Sequence, residues 1–91
     1  MSYSIAYTTE AQVGFRRLDI LLQEEVLDAV DLIAVEPGTL PRRSAGGSVV
    51  YDVVCEMSGV RHYVFLTIRV DHAKGSLEIT KIGHHAKSLT Q

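Results

Sequence analysis

The chain has no tryptophan, only two prolines and a single cysteine, Cys55, among 91 residues. One cysteine excludes an internal disulfide framework and suits a reducing compartment, so a cytoplasmic location is expected. No apolar run approaches the roughly 20 residues that span a bilayer. The start of the chain has no basic region followed by an apolar stretch, so no signal peptide and no membrane association are expected. An excess of one charge is missing too. Net charge is −2 and the sequence pI is about 6.0, without the basic surplus common in nucleic-acid binders. Internal repeats and low-complexity segments are absent. What is present is a 46% share of hydrophobic residues, enough to build a core and to argue against disorder. The length fits one compact domain over residues 1–91.

Periodicity predicts the elements. Tyr3, Ile5 and Tyr7 alternate with small residues, as on a strand. Thr9 and Gln12 have the spacing of a capping box, which predicts a helix from about Glu10 to the region of Leu18, shortened by Gly14. Leu22, Val26, Val30 and Ile33 then recur at helical spacing. Glu24, Glu25, Asp28 and Asp31 fall mainly on the other side, Asp19 can cap the start, and Pro37-Gly38 ends the run. The stretch "TLPRRSAGGS" reads as a loop that carries Arg42 and Arg43.

Three strands are predicted after it. The first puts Tyr51, Val53 and Cys55 on one face and Asp52, Val54 and Glu56 on the other, with a turn at Ser58-Gly59. The second has Val60, His62, Val64, Leu66, Ile68 and Val70 on one face and Arg61, Tyr63, Phe65, Thr67 and Arg69 on the other. The third runs from Leu77 to Gly83. Ile82 falls out of phase with Leu77 and Ile79, which predicts a bulge or a buried end. The order β-α-α-β-β-β implies a two-layer α+β domain. Its C-terminal meander is antiparallel, and two N-terminal helices cover one sheet face.

The chain closes on "KIGHHAKSLTQ", with His84 and His85 where the last strand is expected to end. Imidazole ordinarily titrates near neutrality, so such a pair is either solvated or aimed at a substrate. His62 reads as a hydrogen-bonded residue at the core margin and Cys55 as apolar filler. His62, His72, His84, His85 and Cys55 match no compact ligand spacing, so neither a metal nor another cofactor is expected. Arg42 and Arg43 beside glycines either contact phosphate or only solubilise the loop. Asp52 and Glu56 are an acid–base pair or, preferably, salt-bridge partners for Arg61 or Arg69.

Two short motifs carry a resemblance. "SGVR" (Ser58 to Arg61) resembles the turn into the third strand of RelE, and "GHHA" (Gly83 to Ala86) resembles the Gly-x-His-Ala of the YafQ branch. With the element order, they make the chain similar to the RelE/ParE toxin superfamily of bacterial toxin–antitoxin systems. The resemblance implies a ribosome-dependent endoribonuclease that cuts mRNA without metal, the 2′-hydroxyl attacking the adjacent phosphate. His85 would be the acid or base and Arg61 would stabilise phosphate charge, with Arg42, Arg43 and Lys81 contacting RNA phosphates. A cognate antitoxin, in the form of an acidic or amphipathic segment, would be the protein partner, and the ribosome and mRNA the targets. Where RelE-type members carry basic residues on the second strand, this chain has Asp52, Val54 and Glu56. That difference implies the alternative: a non-catalytic relative, either a ParE-like inhibitor of DNA gyrase or a protein-binding module.

Overall fold

A computed structural model describes residues 2–89. The elements are β1 (Ser4–Tyr7), α1 (Thr9–Arg16), α2 (Ile20–Val35), β2 (Arg42–Ala45), β3 (Ser48–Met57), β4 (Val60–Asp71) and β5 (Ser76–Ser88). One mixed sheet has the order β1-β5-β4-β3-β2, with β1 parallel to β5 and the other pairs antiparallel. Both helices lie on one face, so the two-layer α+β architecture and its β-α-α-β-β-β order are as the patterning predicts, with one edge strand more.

Side-chain alternation sets which face is covered. Leu22, Val26, Val30 and Ile33 of α2 meet Tyr51, Val64, Leu66, Ile68, Leu77, Ile79 and Ile82 of the sheet in one core cluster. Most of these side chains are wholly removed from water, each contributing about 1.5–3 kcal/mol through burial. Asp19 caps α2, its carboxylate accepting from the Leu21 N–H at 2.9 Å. The two-residue turn Ser58-Gly59 has φ of +52° and +76°. Both central residues are left-handed, as the twist of a tight hairpin demands.

Three local expectations change, and the irregularity expected near Ile82 takes a definite form. The segment read as a loop contains β2, which zips onto β3 through the two-residue Gly46-Gly47 turn, so Arg42 and Arg43 stand on an edge strand. The cap of α1 is Thr8 rather than Thr9. Its hydroxyl oxygen accepts from the Ala11 N–H (3.2 Å) and donates to the Thr80 carbonyl (3.0 Å), tying the helix start to β5. The expected irregularity near Ile82 is a bulge. Thr67 pairs with Lys81 and Ile68 with Ile79, which leaves Thr80 over and returns Ile82 to the core. Finally, β5 does not end at Gly83 but continues to Ser88 along β4.

The helix α1 is short, as expected, and Gly14 also lets it lie against β5. A Cβ at this position would overlap the main-chain carbonyl oxygen of Ile82. Gly14→Ala raises helix propensity yet is expected to destabilise, by about 1–3 kcal/mol of overpacking. Chemical denaturation checks this: an unchanged or higher midpoint would mean that α1 is free to lift off the sheet.

Candidate functional site

The uncovered sheet face collects one side of every long strand. On β4 it presents Arg61, Tyr63, Phe65, Thr67 and Arg69. On β5 it presents Glu78, Lys81, His85 and Lys87, by their register opposite β4. On β3 it presents Asp52, Val54 and Glu56, and on the β2 edge Arg43.

His85 sits directly across from Tyr63, the rings near-parallel with centroids 5.9 Å apart. Arg61 lies opposite Lys87 and is therefore the diagonal neighbour of His85 on the same face. The Tyr63 side chain first, and the Glu56 carboxylate second, push the Arg61 guanidinium pKa further up. Tyr63 thus stands beside both groups singled out from the motifs. Patterning alone put it on this face; its role as the bridge emerges only once β5 is extended alongside β4.

The three arginines of this face are paired. Arg61 meets Glu56 at 2.7 Å, Arg43 meets Asp52 at 2.8 Å, and Arg69 meets Glu78 at 3.3 Å. Glu56 is thus a salt-bridge partner of Arg61, while Asp52 takes Arg43 instead. The Arg43 guanidinium also lies 5.6 Å from the centroid of the Phe65 ring. Lys81 is exposed, four residues or about 13 Å along β5 from His85. Arg42 stands elsewhere. It is in register with the core residue Tyr51, on the helix side, and donates to the Gly38 carbonyl at 3.0 Å. There it lines a cavity of about 330 Å³ with Glu36, Val49, Tyr51, Val70 and His72.

His84 points to the other face, in register with Val64. Its Nε2 lies 2.9 Å from His62 Nδ1, so one ring donates a hydrogen bond to the other across β4 and β5, with the direction set by the tautomer. Burial first, then the fields of His62 and His85, hold the His84 pKa below its ordinary 6.5. A depressed imidazole pKa means that the unfolded chain binds more protons, so its contribution to stability is full above about pH 6.5 and is lost as pH falls through the folded-state value. The melting temperature is expected to fall as pH drops below about 6.5, and less so in His84→Gln. Parallel profiles for the two proteins would contradict this assignment.

Cys55 is opposite His62. Burial, with Glu25 and Glu56, pushes its thiol pKa up, away from a reactive thiolate. Among the described residues no group of three or more His, Cys, Asp or Glu side chains could hold a metal ion. No helix among them is long and apolar enough to cross a membrane.

No protein-family model matches the sequence, and no curated protein does. Solved structures do match. The intact RelBE toxin–antitoxin complex of E. coli aligns with a TM-score of 0.68 at 18% identity, over 90% of this chain and 95% of that one. The RelBE2 toxin–antitoxin complex of Mycobacterium tuberculosis aligns at 0.68 and 19%, over 93% of each chain. The isolated E. coli RelE toxin aligns at 0.67 and 18%, over 96% of this chain and 88% of that one. These likenesses span nearly the whole chain at low identity, and they establish that it has the fold of the RelE toxins.

Proposed function

We propose that this protein is the toxin of a toxin–antitoxin pair and that its open face cleaves mRNA on the ribosome. The observation that supports it most directly is the cluster of His85, Tyr63 and Arg61 on one exposed face. In the reaction, a ribose 2′-hydroxyl loses its proton and attacks the adjacent phosphorus, and the 5′-oxygen leaves with a proton. His85 supplies one of those proton transfers, and Arg61 stabilises the added negative charge on the phosphate oxygens. Lys81 and Arg43 extend the phosphate contacts along the face; Arg42, on the other side, falls outside it. The complexes with antitoxin among the structural neighbours support a cognate antitoxin as the partner of this chain.

The ion pairs favour a second reading. Arg61 and Arg43 already face carboxylates, so an RNA phosphate must displace Glu56 or Asp52 and meets their charge on approach. On that reading the open face binds a protein, as in a gyrase inhibitor, without catalysis. Induced expression followed by primer extension on ribosome-bound message separates the two. New mRNA ends within coding sequence are the expected result. Growth arrest with intact message and failing DNA supercoiling would replace the nuclease by the gyrase reading.

A further inference from the structure

The outer surface of α2 combines exposed aliphatic side chains with charge of one sign. Ile20 (65% exposed), Leu21 (53%), Leu27 (46%), Leu32 (51%) and Val35 (64%) all stand on it. Glu24, Asp28 and Asp31, spaced i, i+4 and i+7, run between them as an acidic ridge, and α2 contains no lysine or arginine. By helical angle, Ile20 and Leu27 flank the ridge on the α1 side, and Leu21 and Leu32 flank it on the other. On the α1 side the surface opens into a cavity of about 270 Å³ lined by Tyr7, Gln12, Phe15, Arg16 and Leu27. Asp31 stands close enough to add to the effect of burial in raising the Tyr7 phenol pKa. A solvated outer face has no use for five large aliphatics in 16 residues, and exposed apolar surface of this kind, here on both sides of the acidic ridge, marks interaction sites.

We infer that this surface docks an amphipathic helix of a second protein, with lysine or arginine set between its aliphatic residues. The charge selects the occupant. A second copy of this chain would bring an identical acidic ridge against the first. Nucleic acid and anionic lipid are repelled by the same carboxylates. A basic helix offers cations to Glu24, Asp28 and Asp31 while its aliphatic residues cover Leu27 and Leu32, the helix-in-groove mode of recognition. The surface belongs to the helical layer, opposite the face of His85, so a helix docked there leaves the open face accessible. The inference therefore stands whether or not that face cleaves RNA.

Two amphipathic peptide probes of equal length and identical leucine pattern test it, one with lysine at every polar position and one with glutamate. Amide chemical-shift mapping should confine the response to α2 and to the cavity residues Phe15 and Gln12. By calorimetry the lysine peptide should bind at least about tenfold more tightly than the glutamate peptide, and the advantage should shrink with added salt. Asp28→Lys combined with Asp31→Lys changes only exposed positions and should invert the preference. Leu27→Ser should weaken both peptides. Equal affinity of the two peptides, shifts on the sheet face, or an unchanged preference in the double variant would overturn the inference. So would dimerisation of the protein alone through α2 in sedimentation equilibrium.

Discussion

His85→Ala is expected to abolish mRNA cleavage on translating ribosomes, by about 10²–10⁴-fold, the usual contribution of a positioned acid or base. His84→Ala should keep most of the activity, because His84 faces away from the open surface and pairs with His62. If the open face is the proposed nuclease site, Arg61→Ala should lose about 2–4 kcal/mol of transition-state stabilisation, the worth of a charge-assisted contact to phosphate. Glu56→Gln works in the other direction: it releases Arg61 from its ion pair, so RNA affinity and its salt dependence should both rise. Tyr63→Ala should cost more than Tyr63→His, because any ring opposite His85 preserves the stacking that orients it. Primer extension on ribosome-bound message, wild type beside His85→Ala, is the measurement. Identical cleavage patterns from both would remove His85 from the chemistry.

Val30→Asp is expected to unfold the domain. Val30 is 2% exposed and lies in the cluster that joins α2 to Val64, Leu66 and Ile68 of β4. A carboxylate there has no cation within the core: no charged or polar residue is buried among the described residues. The cost of an unpaired buried charge is several kcal/mol, on the scale of the whole stability of a small domain of about 5–15 kcal/mol. Circular dichroism and a urea titration read the outcome. A cooperatively folding Val30→Asp protein would mean that α2 packs on the sheet through another side. The contrast with Asp28→Lys and Asp31→Lys is sharp, since those changes, on the same helix, touch only water-exposed positions and should leave the unfolding free energy within about 0.5 kcal/mol.

What the sequence determined by itself is periodic. The buried side of α2, the opposed faces of β3 and β4, the tight Ser58-Gly59 turn and the irregularity before Ile82 all follow from side-chain direction along a helix or strand. That direction is a local property of the backbone. The parity that puts Arg61 on the open face was legible for the same reason. What the tertiary structure alone decided depends on a partner supplied from elsewhere in the chain. β2 exists because the edge of β3 offers it hydrogen bonds, and β5 runs on through His84 and His85 because β4 extends beside it. Thr8 rather than Thr9 caps α1 because only its hydroxyl also reaches the bulge carbonyl on β5. The choice of Arg43 for Asp52, and the stacking of His85 on Tyr63, are set by register between strands. Periodicity tells which way a side chain points, but which residue it meets is fixed only when separate strands are brought into one sheet.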